Sequence, residues 1–255
     1  MSGAVSWLAP DWAAQRDVHA AFTLRAGGVS EGCYASLNLG KHVGDDAAHV
    51  AENRRRVREQ LNLPGEPVWL EQLHGIGVLR ADAIGAIDAQ SSRAADALYT
   101  RAAGTVCAIQ VADCMPVLFA STDGAVVAAA HAGWRGLAAG VLEATIDALG
   151  VAAPQLDVWL GPAISQANFE VGEEVRAAFL AHDPQAAAAF VRNPRGRWQC
   201  DLYQLARQRL GARGVSRICG GGFCTHADSA RFFSHRREAP TGRMAALIWR
   251  GAPGR

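Results

Sequence analysis

Three side chains stand out for the chemistry they could do together. His74, Cys114 and His131 offer two imidazole nitrogens and a thiol sulfur, the donors that zinc prefers. Catalytic zinc typically keeps three protein ligands and one open position for water or substrate. Their separations, 40 residues from 74 to 114 and 17 from 114 to 131, form no CxxC-type pattern. Spacing alone therefore does not join them. Each falls at the end of an expected strand, and rigid strand ends can aim side chains from distant positions at one point. The same residues also fit a buried thiol beside two core histidines, since free cysteine is among the most buried residue types.

Other polar residues carry two readings each. Arg135, set between Gly133 and Gly136, matches phosphate bidentately or forms a structural salt bridge. Asp96 or Asp113 could hold the second nitrogen of a ligand histidine, or cap a turn. Met115 adjoins Cys114, and two histidines, a cysteine and a weak axial methionine also describe a blue-copper site. His235 sits in a polar segment with no assigned role, and His226 near Cys224 reads as an ordinary loop. Gly220-Gly221-Gly222 resembles a phosphate loop, but no helical pattern follows it directly, as a nucleotide fingerprint requires.

The elements that must position these residues come from hydrophobic periodicity and turn signals. Strands are expected over Val18–Arg25, Val68–Leu73, Thr105–Val111, Met115–Ser121, Ala125–Ala130, Val158–Leu160, around Ile218, and over Met244–Trp249. The break at Ala112-Asp113-Cys114 and the turn at Thr122-Asp123-Gly124 separate three of them. Asp45 or Asp46 caps a helix over Ala47–Leu61, which stops at Leu63-Pro64-Gly65. Further helices are expected over Leu137–Leu149, Glu173–Ala181 and Asp201–Gly211. Some adjacent strands are joined by β-turns, so the pattern is α+β, with mixed sheets, and not a repeated βαβ unit. Gly85–Ala95 and Arg192–Arg197 are the most loop-like stretches. Both are too short to divide the 255 residues, so one domain over 1–255 is expected.

Composition excludes several functions. Half the residues are hydrophobic and 19% charged, ordinary for a globular chain with a sizeable core. The net charge of +1 gives no field toward nucleic acid or an anionic membrane. Lys41 is the sole lysine, so Schiff-base chemistry would have to use it, and Gly40-Lys41-His42 is not a Walker motif. No run approaches the roughly 18 apolar residues of a membrane span. Met1 to Val18 lacks a basic start followed by an apolar run, and the six cysteines lack disulfide-like spacing, so a cytoplasmic protein with free thiols is expected.

A series of segments with distinctive residues runs in order along the chain. They are Thr23-Leu24-Arg25-Ala26-Gly27-Gly28-Val29-Ser30, Ala35-Ser36-Leu37-Asn38-Leu39-Gly40, His42-Val43-Gly44-Asp45-Asp46 and Glu52-Asn53-Arg54. Glu71-Gln72-Leu73-His74-Gly75, Ala112-Asp113-Cys114-Met115-Pro116-Val117 and His131-Ala132-Gly133-Trp134-Arg135-Gly136 follow. Leu160-Gly161-Pro162-Ala163-Ile164 and Phe232-Phe233-Ser234-His235-Arg236-Arg237 complete the series, which runs from about residue 20 to 249. Taken together and in this order, the segments resemble the bacterial YfiH-type family, which carries three labels: laccase-domain polyphenol oxidase, purine nucleoside phosphorylase and peptidoglycan editing factor. The resemblance implies one domain of mixed sheets between helices, with zinc, or alternatively copper, held by His74, Cys114 and His131. It also implies that the cysteine is essential and that Asn38 and Arg54 handle substrate. On their own, Arg54 reads equally as a solvated helix face among Arg54-Arg55-Arg56, and Asn38 as a turn residue.

The reaction implied by the resemblance is phosphorolysis of adenosine, inosine and methylthioadenosine, with deamination of adenosine. Its partners would be a purine nucleoside and phosphate, the anion gripped by Arg54 or Arg135. Zinc lowers the pKa of bound water to roughly 7, which suits deamination. The HxE and PCxxC pattern of cytidine-type deaminases is absent, so the site would be an independent solution. Two alternatives remain open. One is hydrolysis of a peptidoglycan precursor by Cys114 with a histidine. The other is copper-dependent polyphenol oxidation, although the eight histidines include no His-X-His pair for a trinuclear cluster.

Overall fold

The computed structural model describes residues 4–12, 14, 17–86 and 93–251. Two large sheets lie back to back and both are mixed, as expected for α+β. One has six strands in the order Arg217–Gly220, Leu156–Leu160, Met115–Ser121, Val127–Ala132, Ala97–Thr100, Val78–Arg80. Its two outer pairings are parallel and the inner ones antiparallel. The other has five strands in the order Trp7–Leu8, Val18–Thr23, Met244–Arg250, Val106–Val111, Val68–Trp69. A small antiparallel sheet of Glu170–Val171, Trp198–Cys200 and Phe190–Arg192 stands apart from both.

Alternation along the central strands explains the layering. Leu118, Ile109, Ala246 and Phe22 meet between the two large sheets. Val117 and Phe119 point the other way, against Leu142 and Ile146 of the helix Val141–Leu149 and Leu205 of the helix Leu202–Ala212. Ala108 and Leu247 face Val57 of the helix Ala47–Gln60. Both faces of each large sheet are thus covered, which is why these strands read as unbroken apolar runs.

The strands Trp7–Leu8, Val78–Arg80 and Ala97–Thr100 and the small sheet lie outside the expected elements, and three of the expected ones differ. The helix expected over Leu137–Leu149 is two helices, Trp134–Ala139 and Val141–Leu149. Gly140, left-handed at φ 106°, breaks them apart. The strand expected over Val68–Leu73 ends at Trp69, leaving only a bridge between Glu71 and Ala94. His131 lies within the strand Val127–Ala132 and not beyond its end. Of the expected loop Gly85–Ala95, residues 87–92 fall outside the described part. Asp46, of the two candidate caps, accepts the amides of Ala48 and His49. Among the described residues no helix is long and apolar enough to cross a membrane.

Candidate metal centre

The chain crosses from the five-stranded sheet to the six-stranded one between Val111 and Met115, and Cys114 sits in that crossover. Asp113 takes φ 84° there. Its carboxylate accepts Thr225 Oγ1 at 2.6 Å, Ser234 Oγ at 3.0 Å and the Arg236 amide at 2.6 Å, fixing the turn. His74 follows the edge of the five-stranded sheet, in a left-handed turn at φ 62°. Asp96, 1% exposed, holds that turn by accepting the amides of Leu73, His74 and Gly75 at 3.1, 2.9 and 2.6 Å.

The same carboxylate reaches His131, with Oδ1 2.8 Å from Nδ1. Of the two candidate outer partners, Asp96 is therefore the one that holds a histidine, while Asp113 holds two hydroxyls and one backbone amide. With Nδ1 engaged, His131 presents Nε2. Cys114 Sγ lies 3.8 Å from His74 Nε2, and one donor atom from each of His74, Cys114 and His131 lies within 4.8 Å of the others. Two imidazoles and a thiol at this separation can hold a metal ion. Gly133 permits the approach, since a Cβ there would stand 2.9 Å from Cys114 Sγ and 2.9 Å from His74 Cδ2.

The electrostatics favour a charged pair. Desolvation would push the Cys114 thiol up, but the His131 and His74 imidazoles outweigh it and bring it down to about 6. Burial would lower His131, yet the Cys114 sulfur and Asp96 outweigh that and raise it to about 9. A thiolate is thus available near neutral pH as ligand or nucleophile.

The three donors open on a cleft of about 320 Å³ whose walls include His42, Gln72, Gln110, Arg135, His235 and Arg243. Arg135 lines the same cleft as the donors, its guanidinium 4.5 Å over the Trp134 ring. Arg54 is not. It is 9% exposed, donates Nε and Nη2 to the Leu39 carbonyl at 3.0 and 2.7 Å, and stacks 3.9 Å over Trp69. This corrects the solvated-face reading. Arg54 lines a neighbouring cleft of about 690 Å³ that shares His42, Gln72 and Gln110 with the first. Asn38 does not reach either cleft: it is fully buried and its amide is spent on Gly40, Asp45 and the Arg243 amide. Met115 is also fully buried, packed in the core with Val117 and Leu137.

Sequence reasoning missed Arg243, His42, Gln72 and Gln110 as cleft residues. Arg243 follows Thr241-Gly242 just before a strand and carries no local signal. His42, Gln72 and the His74 turn lie inside segments already singled out, so their neighbourhood was visible although their roles were not.

The family model for multi-copper polyphenol oxidoreductase laccase matches residues 19–251. The chain belongs to this laccase-domain family. Within it, the chain is 54% identical over 246 residues to a purine nucleoside phosphorylase of Pseudomonas aeruginosa, covering 96% of this chain and 98% of that one. It is 50% identical over 242 residues to the purine nucleoside phosphorylase YfiH of Escherichia coli, covering 95% and 98%. Among solved structures, YlmD of Geobacillus stearothermophilus superposes with a TM-score of 0.91 at 34% identity, covering 99% of this chain and 98% of that one. A Neisseria meningitidis protein reaches 0.91 at 46% identity, covering 96% and 99%. The laccase-domain fold therefore extends across nearly the whole chain.

Proposed function

We propose that this chain is a zinc-dependent purine nucleoside phosphorylase acting on adenosine, inosine and methylthioadenosine, and that it also deaminates adenosine. In this proposal 1–255 forms one catalytic domain. The observation that carries the reading is the convergence of His74, Cys114 and His131 on an open cleft beside Arg135. It is joined to 50% identity with a protein named purine nucleoside phosphorylase.

Zinc bound by the three donors would supply a Lewis acid. The rest falls to the chain. Asp96 keeps the His131 tautomer and aims its ring. Arg135 grips the phosphate dianion and brings it against C1′ of the nucleoside, so that attack becomes effectively unimolecular. A phosphate oxygen bonds to C1′ as the bond to the purine nitrogen breaks, and its electron pair leaves with the base, which is then protonated. Arg54, held beneath Trp69, shapes the adjoining cleft where the remainder of the substrate extends. Deamination would add water at C6 of adenosine and expel the 6-amino group as ammonia, leaving inosine.

Copper is the less favoured metal. The axial methionine that a blue-copper site would take from Met115 is committed to the core, and among the described residues one His/Cys group fit for a metal is found. Metal analysis of purified protein together with phosphate-dependent release of adenine from adenosine tests the reading. About one zinc per chain is expected, with turnover lost in Cys114→Ala. Zinc without phosphate-dependent release, alongside removal of a misplaced amino acid from a cell-wall precursor, would replace it with the editing hydrolase.

A further inference from the structure

We infer that Arg243 seats inorganic phosphate together with Arg135, with Asn38 beneath Arg243 as its positioning residue. The inference rests on the phosphorolysis reading and locates the anion within the same cleft. Arg243 forms part of the wall that encloses His74, Cys114 and His131. Its Nη1 is spent on the carbonyls of Thr241 and Gly242 at 2.9 and 3.1 Å. Among the described residues Nε and Nη2 take no protein partner, and neither is sealed from solvent. Two donors of the fork therefore remain for a ligand.

The Cys114 sulfur and Asp113 act on Arg243 through space, but no carboxylate among the described residues pairs with it. Among the described residues Arg243 forms no salt bridge, and no Asp or Glu lines the cleft. The two carboxylates flanking the metal donors are already committed, Asp96 to His131 and the 73–75 amides, Asp113 to Thr225, Ser234 and the Arg236 amide. Arg135, His42 and His235 add further donors to the same wall. A partly desolvated guanidinium with a free edge and no carboxylate is matched by a phosphate, which accepts bidentately.

The placement is built from below. The Arg243 amide donates to Asn38 Oδ1 at 2.8 Å, and the same oxygen accepts the Gly40 amide at 2.9 Å. Asn38 Nδ2 donates to Asp45 Oδ2 at 2.9 Å, so the oxygen cannot turn away. Gly40 leaves room for the stem, since a Cβ there would stand 2.8 Å from Arg243 Cγ. A buried asparagine expected to touch substrate thus acts through the arginine it fixes.

A phosphate group could also arrive as the 5′-phosphate of a nucleotide, and the test separates the two sources. Calorimetric titration of the full-length protein with inorganic phosphate, and separately with adenosine monophosphate, is compared across wild type, Arg243→Met, Arg243→Lys and Asn38→Ala. Arg243→Met should weaken inorganic phosphate by about tenfold to a hundredfold, the loss of a hydrogen-bonded charge. Arg243→Lys should recover part of it and stay folded if the methionine variant does not. Asn38→Ala should raise the KM for phosphate more than it lowers kcat, which a general loss of structure would not do. Wild type that binds no phosphate, equal phosphate affinity in wild type and both Arg243 variants, or a loss confined to adenosine monophosphate would each overturn the inference. Phosphorolysis with an unchanged phosphate KM in the Arg243 variants would sink it while sparing the proposed function. Arg243-dependent phosphate binding without phosphorolysis would do the reverse.

Discussion

Asp96 and His131 share a hydrogen bond of 2.8 Å between two side chains almost wholly removed from solvent. The same carboxylate collects the amides of the turn that carries His74. One residue that touches no metal thereby sets the orientation of two of the three donors.

Asp96→Asn should lower zinc affinity by about tenfold to a hundredfold, the usual cost of an outer partner. A competition titration against a chromogenic chelator reads this directly, and equal affinity would mean that the histidines orient themselves.

The same variant should alter acid stability. Burial works to raise the Asp96 carboxyl, but His131 and the Gly75 and His74 amides outweigh it and hold it below its ordinary value. A depressed carboxyl contributes stability that is fully present above the unfolded value of about 3.9 and is lost as pH falls through the folded one. Thermal melts of metal-free protein should therefore fall less steeply below about pH 4 in Asp96→Asn than in wild type. Parallel acid limbs would contradict the assignment.

Cys114 should alkylate ahead of Cys107, Cys200 and Cys219 in metal-free protein. Its thiolate forms as pH rises through about 6, whereas burial pushes Cys107 and Cys200 upward. The rate of iodoacetamide labelling, followed by peptide mass, should reach half its plateau near pH 6 and be suppressed by zinc. A midpoint in the ordinary thiol range of about 8.5 would show that the imidazoles do not activate it.

Gly133→Ala should displace a donor, because the new methyl meets both Cys114 and His74. Overpacking of this kind costs about 1–3 kcal/mol, and metal content should drop while the sheets persist. Full zinc occupancy with an unchanged melting temperature would refute the steric argument.

Arg135 and Arg54 should separate cleanly. Arg135→Ala is expected to raise the KM for phosphate with little change in melting temperature. Arg54→Met removes two hydrogen bonds from a buried cation and should destabilise by about 1.5–3 kcal/mol. If Arg54→Met melts as wild type does, the bonds to Leu39 are not holding the helix.

Val106–Val111, Met115–Ser121 and Met244–Arg250 are readable as strands because both faces of each large sheet are buried, which leaves long apolar runs. The short strands Val78–Arg80 and Ala97–Thr100 carry no such run and are not. The His74 turn is not readable either, because a single carboxylate 22 residues away holds it in place of a ladder. The donors were nameable from side-chain chemistry and family likeness, but their meeting depends on a crossover between sheets that no local pattern encodes. Asn38 and Arg54 were visible as motif residues, while their burial follows from what Leu39 and Arg243 do opposite them.

The crossover at residues 112–114 has a mechanical consequence. His74 is carried by the margin of one sheet, His131 lies inside the other, and Cys114 is on the stretch of chain that passes between them. A cation gripped by all three would act as a rivet through adjoining plates, so sliding of one plate over the other would be felt first at the reaction centre.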